Sequence, residues 1–516
     1  MPASVLHRPG KPVFPRWTLL ALPLALVACA ASAPPPEVAT PVPTAWHGPM
    51  PQGAVGPAAQ LKAWWQRWDD PLLLSLLDSA QQASPTVAAA ATRVAQARQA
   101  VVLAGAASGP QLNAGAGVGR AVAQVHTPPA TQASLGLQAS WELDLFGGQR
   151  AAASAADQRL QAAGAQWHEA RVAVAAEVAR QYTGWRACQQ ALALAQADAQ
   201  ARTTIARLTD DRARAGFEAP AQAALAQASA AQGRTAVVQQ RAACDGALKA
   251  LVALTALDES TLGRQLAPKV SEKRAVHAGL SSAGGTFDLQ NMPLPVLPPA
   301  SLPLALPAQL LAQRPDVFAA QRAVAAASAD VGSAEADRYP RLGLSGAITG
   351  IRTRGAGGDG STWSVGPLQL SVPLFDAGRR AGQVKVQTAA YEEAVVAYRA
   401  SVRNAVREVE QALVALHSTD AALPDARTAA DGFARALQAA TDRHRVGLGS
   451  LLELEDTRRS ALAAELALAQ LQRDRLLAWV DLYRALGGGW SATDADDPSG
   501  PATVSASHPM AFKGQP

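Results

Sequence analysis

Residues 141–150, Trp-Glu-Leu-Asp-Leu-Phe-Gly-Gly-Gln-Arg, have a counterpart at residues 371–380, Ser-Val-Pro-Leu-Phe-Asp-Ala-Gly-Arg-Arg. Alignment of Phe146 with Phe375 relates the two segments by an offset of 229 residues (375 − 146). A strand-like run that ends in a glycine-containing turn therefore occurs twice in the chain.

Two further landmarks recur at nearly the same spacing. A turn at Pro110 pairs with one at Pro340 (340 − 110 = 230), and a turn at Gly216 pairs with one at Gly447 (447 − 216 = 231). Three landmarks in one order at a nearly constant offset indicate a tandem duplication.

Each half is predicted to contain a pair of strands. The run at 135–145 alternates apolar and polar residues, and its mate at 368–374 does the same. Weaker strands, rich in Gly and Ala, are predicted at 112–122 and 342–351. One face of such strands could meet lipid and the other water, although a half-buried soluble sheet gives the same alternation.

Long helices surround these strands. They are predicted at 72–107, 149–214 and 219–256 in the first half, and at 308–338, 378–445 and 450–486 in the second. Residues 149–214 would form a helix about 100 Å long at 1.5 Å per residue. This length indicates coiled-coil hairpins, and Leu423-Pro424 is expected to break or kink the long helix of the second half.

The N-terminus has the features of an export signal. Basic residues precede an apolar stretch from Trp17 to Val27, which is too short to span a bilayer as a helix. It ends in Ala28-Cys29, which resembles a bacterial lipobox, so Cys29 is expected to become the acylated N-terminus. An ordinary cleavage site beside an incidental cysteine is the alternative.

Charge and hydropathy exclude several classes of protein. The net charge of +5 falls to about +2 once three cations of the signal are removed, so the basic pI is no sign of nucleic-acid binding. Beyond the signal no run of eighteen apolar residues occurs, so a membrane could be crossed only by strands closed into a barrel.

These features give a provisional division of the chain. It consists of a signal peptide (1–28), a lipid anchor and tether (29–60), a first repeat (61–257), a Pro-rich connection (258–307), a second repeat (308–490) and a disordered tail (491–516).

Cys188 and Cys244 lie at equal distances from the turn at Gly216, since 216 − 188 and 244 − 216 both equal 28. In an antiparallel hairpin the two residues would be at the same height, and an oxidising periplasm would favour a disulfide. Two separate buried thiols remain the alternative.

No catalytic, cofactor-binding or metal-binding constellation is recognisable. The eight histidines are scattered, and Gly487-Gly488-Gly489 follows a helix, where it predicts a C-terminal stop rather than a phosphate loop. The chain is therefore not expected to be an enzyme.

Taken in order, several motifs resemble the TolC-like outer-membrane efflux channels, in particular their NodT-type lipoprotein branch. The motifs are the lipobox, Trp64 to Pro71, Trp141 to Arg150, Leu306 to Leu311 with Arg314 to Val317, Val372 to Arg379, and Leu486 to Trp490. The resemblance implies a mainly α protein with a membrane β-barrel. Each protomer of a homotrimer would give four strands and two helical hairpins to a 12-strand barrel and a periplasmic tunnel.

The resemblance also implies the partners and the location. The protein would lie in the outer membrane as part of a tripartite export pump. The hairpin tips at Gly216 and Gly447 would dock a periplasmic adaptor, which connects to an inner-membrane transporter. A coiled-coil adaptor or scaffold lipoprotein is the alternative, and an extracytoplasmic enzyme is a more distant one.

A gate is implied beside the second tip. Glu453 and Asp456 are three residues apart, on one helix face, and match positions where the family places rings of carboxylates in the lumen. The alternative is a solvated face on which Arg458 and Arg459 pair with these acids.

At two positions the sequence departs from the contact between helices by which a tyrosine of the family can lock this gate. Gln222 takes the corresponding acidic position of the first repeat, and His444 replaces a tyrosine.

Overall fold

The computed structural model describes residues 32–49, 64–121, 129–266, 313–354 and 359–491. The predicted anchor at Cys29 lies outside these ranges, as do most of the connection 258–307 and the tail beyond residue 491. The chain divides into two compact units. One contains residues 1–39, 95–160 and 321–397, and the other contains residues 40–94, 161–320 and 398–516.

The elements follow the duplicated plan. The first half contains α1 (Pro71–Ala83), α2 (Pro85–Ala107), β1 (Gln111–Ala121), β2 (Ala130–Leu143), α3 (Gly148–Arg214) and α4 (Pro220–Thr255). After a short helix α5 (Glu259–Leu266), the second half contains α6 (Pro315–Ala336), β3 (Arg341–Arg354), β4 (Gly360–Ser371), α7 (Arg379–Arg445) and α8 (Leu451–Ala485). None of the described helices combines the length and apolarity needed to cross a bilayer.

The two strand pairs form one antiparallel sheet in the order β1-β2-β3-β4. At its centre Leu137 pairs with Ile348, and the ladder between β3 and β4 is irregular between Leu344 and Gly346. Within the described chain β1 pairs only with β2 and β4 only with β3, so both outer strands are edges.

The long helices repeat more regularly than the sequence landmarks. Helices α3 and α7 both have 67 residues, and their starts (379 − 148) and ends (445 − 214) are both offset by 231. Asp144 accepts hydrogen bonds from two backbone N–H groups at the start of α3, and Asp376 does the same for α7. The helices are therefore offset by 231, two residues more than the phenylalanine alignment gave, and the two aspartates are offset by 232 (376 − 144).

The structure differs from the sequence-based expectation at two points along the helices. The predicted helix 72–107 is interrupted at Ser84, which is extended and accepts a 3.3 Å hydrogen bond from the N–H of Val87, so that α2 begins anew at Pro85. Conversely, Pro424 does not break α7, which continues through it. An interior proline costs a helix about 3 kcal/mol through its missing N–H and its ring, and the adjacent Leu423 is buried.

The largest core cluster explains the tryptophan-rich motif after residue 63. Trp64 packs against Trp479 and Tyr483 of α8 at ring-centroid distances of 5.6 and 5.9 Å, and Trp65 meets Tyr483 at 4.7 Å. Such aromatic pairs add about 0.5–1.5 kcal/mol to the burial of their apolar area. The motif therefore fixes the start of the first repeat to the end of the second.

Candidate functional site

Both hairpin turns lie where the sequence predicted them. At Gly216 and Gly447 the backbone has φ of +79°, which only glycine adopts without strain. In each turn the N–H of the following residue, Phe217 or Leu448, donates to a helix carbonyl five residues earlier, at 2.9 and 2.8 Å. The side chains of Phe217 and Leu448 are 84% and 80% exposed, so each tip presents an apolar residue.

The candidate gate residues lie in the first turns of α8. Glu453 is paired with Arg443 across the turn at Gly447, and Asp456 lies 3.8 Å from Arg459. Both carboxylates are about half exposed in the single chain.

Arg458 does not take part in that surface pairing, contrary to the sequence-based alternative. It is 5% exposed and donates a 2.8 Å hydrogen bond to Glu455. Gln222 and His444 are the two positions that depart from the family pattern. His444 Nδ1 lies 3.2 Å from the carbonyl oxygen of Gly449, and no hydrogen bond joins His444 to Gln222.

A cluster of buried polar groups lies close to the candidate gate and was not anticipated from the sequence. We call it the charge cluster, and it consists of Asp198, Arg202, Ser229, Glu455 and Arg458. Arg202 donates to Asp198 of the same helix at 2.6 Å and to Ser229 of α4 at 2.8 Å. Ser229 in turn donates to Glu455 of α8 at 2.7 Å.

The charge cluster joins three helices and is electrically neutral. Arg458 completes it, bonded to Glu455 and 3.9 Å from Asp198. Burial lowers the pKa of the Arg458 guanidinium below its ordinary value, and the charges of Glu455 and Asp198 oppose that shift. Two guanidinium groups and two carboxylates thus balance inside the protein.

An apolar layer lies beside the charge cluster. Leu451 of α8 packs with Ala226 and Ala230 of α4 and with Ala206 of α3, and all four are buried. A Cβ atom on Gly233 would lie 3.1 Å from the Cα of Ala199, so α3 and α4 approach closely at this level.

Farther from the tip, a disulfide joins the same two helices. Cys188 of α3 and Cys244 of α4 are bonded in the structure, with their Cα atoms 5.5 Å apart. This separation is within the usual range for a disulfide. The hairpin α3–α4 is thus cross-linked, while the described part of the hairpin α7–α8 contains no cysteine.

Arg314 explains the Arg-Pro-Asp motif before α6. Its guanidinium donates to both carboxylate oxygens of Asp316, to Glu408 of α7 and to the carbonyl of Ala485 at the end of α8. Burial alone would lower the pKa of Arg314, but Asp316 and Glu408 raise it above its ordinary value. Next to this anchor, Gly487 and Gly488 have positive φ and confirm the predicted helix stop.

The segment after the predicted anchor is held on the protein surface. In the strand-containing unit, the carbonyl oxygens of Pro34 and Pro35 accept hydrogen bonds from Ser328 at 2.5 Å and Tyr391 at 2.9 Å. In the other unit, the N–H of Gly48 donates to Glu410 at 2.6 Å. These residues of the predicted tether are therefore fixed by specific contacts.

The structure shows no sign of a metal centre in its described ranges, where no three His, Cys, Asp or Glu side chains are grouped to hold an ion. In the charge cluster, three of the four carboxylate oxygens are hydrogen-bonded to a guanidinium or a hydroxyl group, and the fourth, Asp198 Oδ1, lies 3.9 Å from Arg458.

Comparison with known proteins identifies the family. A family profile described as outer membrane efflux protein matches residues 76–257 and 306–488, and the two ranges begin 230 residues apart (306 − 76). The chain therefore belongs to the outer membrane efflux protein family. The predicted resemblance to TolC-like channels is confirmed, and the double match agrees with the duplication.

Two relatives match over nearly their whole length. The chain is 30% identical over 496 residues to the pyoverdine export outer membrane protein OpmQ of Pseudomonas putida, covering 92% of this chain and 97% of that protein. It is 29% identical over 503 residues to nodulation protein T of Rhizobium leguminosarum bv. viciae, covering 96% and 97%.

Solved structures share the fold. The outer-membrane channel OprN has a TM-score of 0.74 at 27% identity, over 89% of this chain and 100% of that one. The Campylobacter jejuni CmeC outer membrane channel has a TM-score of 0.76 at 20% identity, over 91% and 99%. The protein is thus an outer-membrane efflux protein with the fold of these channels.

Proposed function

We propose that three copies of this chain form the outer-membrane channel of a tripartite export system. The observation that carries the proposal is the four-stranded sheet with two open edges, β1 and β4. Unpaired edges of this kind recruit further strands, and a sheet needs about eight strands before it can close. Three protomers supply twelve strands (3 × 4) for one shared barrel.

The strands suit a bilayer in length and surface. They contain 11, 14, 14 and 12 residues, and a tilted transmembrane strand needs about 9–11. Large apolar side chains on them are exposed in the single chain, among them Val118, Leu135, Ile348, Trp363 and Val365. A water-soluble adaptor or scaffold would not leave such residues on a four-stranded sheet uncovered.

The helical hairpins would continue this barrel as a tunnel in the periplasm. Acylation of Cys29 would add a lipid anchor in the outer membrane, and the apolar tips at Gly216 and Gly447 would dock a periplasmic adaptor bound to an inner-membrane transporter. Relatives named for pyoverdine export, solvent efflux and toluene efflux support small molecules as the cargo. Conduction would be passive and would require neither cofactor nor catalysis.

Glu453 and Asp456 would form the periplasmic gate. In a trimer they contribute six carboxylates (3 × 2) near the tip of α8, where half-exposed side chains can face a common lumen. Carboxylates at close quarters favour cations and coordinate divalent ions. A closed gate of this kind would conduct cations weakly and would be blocked by divalent cations.

Single-channel recording of purified trimers in planar bilayers tests this function. The double variant Glu453→Gln with Asp456→Asn should lose most of its cation selectivity and its block by Mg²⁺. A matched control neutralises two acids near the other tip that are 32% and 58% exposed, through Asp210→Asn with Asp211→Asn, and should retain both properties.

Two results would contradict the proposal. Unchanged selectivity and unchanged divalent block in the gate variant would remove Glu453 and Asp456 from the gate. A water-soluble monomer, in place of a trimer extracted from outer membranes, would favour the scaffold alternative.

A further inference from the structure

We infer that the charge cluster positions the gate by clamping α8 onto the hairpin α3–α4. Asp198 and Arg202 come from α3, Ser229 from α4, and Glu455 and Arg458 from α8. The clamp deepens the proposed function, because its effect on conduction requires Glu453 and Asp456 to form the gate.

The first argument is the cost of breaking the cluster. The side chains of its four charged residues are at most 10% exposed. A surface ion pair contributes little, but removal of one partner from a buried pair leaves an uncompensated charge. Separation of α8 from α3 and α4 would leave each long helix its own ion pair. It would break the hydrogen bond between Ser229 and Glu455 and remove the contacts of Arg202 with Glu455 and of Arg458 with Asp198, so the bonded arrangement favours one position of α8.

The second argument is the direction in which α8 faces. At about 100° per residue, the midpoint of Glu455 and Arg458 lies about 160° around the helix from the midpoint of Glu453 and Asp456. The buried pair and the half-exposed pair therefore lie on nearly opposite faces of one helical turn. A contact that fixes the first face also fixes where the second face points.

The third argument is that α3 and α4, which form the base against which α8 packs, are themselves held together. The disulfide between Cys188 and Cys244 ties α3 to α4, and Gly233 brings the two helices into close contact at the level of the cluster. The layer formed by Leu451, Ala226 and their neighbours adds apolar packing between α8 and this base. Directional bonds beside an apolar layer restrict both rotation and separation of α8.

The first experiment reports on the clamp without using the gate. The variant Ala226→Cys places a thiol in the buried layer, where the parent side chain is 1% exposed. With Cys188 and Cys244 bonded and Cys29 acylated, this thiol is the only free one, and its rate of reaction with a maleimide measures separation of α8 from the base.

Arg458→Gln in this background should raise the maleimide reaction rate of the trimer by about tenfold or more, because it leaves the buried Glu455 with only one cationic contact, the longer one of 3.5 Å to Arg202. Ser229→Ala keeps all four charges, removes only the bridging hydroxyl, and should raise the rate by a smaller factor. Arg214→Gln removes an exposed guanidinium from α3 and is the control, with no change expected.

The second experiment measures the gate itself. In trimers that remain intact in SDS, Arg458→Gln should raise the Mg²⁺ concentration that halves the current by about tenfold. A cluster with a merely structural role would alter thermal stability and leave the divalent block of intact trimers unchanged.

The outcomes separate the two proposals. An unchanged maleimide rate in Arg458→Gln overturns the clamp, whatever the gate does. Arg458→Gln could raise the maleimide rate and leave the Mg²⁺ block unchanged, while the Glu453 and Asp456 double variant loses the block. That result would show a clamp that does not position the gate, and it would overturn this inference. A raised rate with unchanged block in all variants instead overturns the proposed gate.

Discussion

Replacement of Arg314 by methionine should destabilise the protein at the junction of its two repeats. Methionine fills a similar volume but cannot donate to Asp316, Glu408 or the carbonyl of Ala485, which Arg314 contacts at 2.7–2.9 Å. Two carboxylates would then face each other without their shared cation, and the last turn of α8 would lose a hydrogen-bond donor.

The magnitude follows from the burial of each group. Breaking a fully buried ion pair costs about 3–5 kcal/mol. Asp316 and Glu408 retain 26% and 29% exposure, and water can partly replace the lost cation, so the low end of this range applies. An unfolding entropy of about 2.1 cal/mol/K per residue, over roughly 390 described residues, gives about 0.8 kcal/mol/K. A loss of about 3 kcal/mol then lowers the unfolding midpoint by about 4 °C.

Thermal unfolding of the detergent-solubilised protein, followed by circular dichroism at one fixed scan rate, measures this shift. Arg314→Lys keeps the charge but cannot reach all three partners and should lose about half as much. Arg338→Met removes an exposed guanidinium paired with Glu335 and should shift the midpoint by less than about 1 °C. An Arg314→Met midpoint within 1 °C of the parent would refute the reasoning.

Two predictions concern the cysteines. A thiol count on denatured, unreduced mature protein should find no free thiol, because Cys188 and Cys244 are bonded and Cys29 is expected to be held as a thioether. Two free thiols would exclude the disulfide. Cys29→Ser should abolish incorporation of radiolabelled fatty acid and leave the protein with its uncleaved signal, whereas persistent labelling would show that the lipid is attached elsewhere.

Features set by local chemistry were predictable from the sequence. The hairpin turns follow from glycines at 216 and 447, and the hairpin helices were located to within about two residues because these turns bound them. The strands were found because their alternation of apolar and polar residues matches the pleat. The order of the sheet was not derivable from one repeat, because paired residues of β2 and β3 are 199 (342 − 143) to 223 (354 − 131) residues apart in the chain.

The charge cluster could not be found from spacing alone. Asp198 with Arg202, and Glu455 with Arg458, have the i,i+4 and i,i+3 spacing of ordinary surface pairs. The two pairs bury each other because their helices pack together, although Arg202 and Glu455 are 253 residues apart in the sequence. Only the structure reveals this packing. The one available signal is the alanine-rich setting, which offers little side-chain volume to keep neighbouring helices apart.

The charge cluster also bears on the history of the duplication. At an offset of 231, the mates of Asp198 and Arg202 are Ala429 and Phe433, and the mates of Glu455 and Arg458 are Ala224 and Gln227. Neither copy contains the complementary charges of the other, so two identical hairpins could not have made this contact. Once it had formed, the halves were no longer interchangeable. A chimera with two copies of either hairpin would keep one ion pair within a helix and place uncharged residues opposite it, so the charged contact between α8 and α3 would be lost.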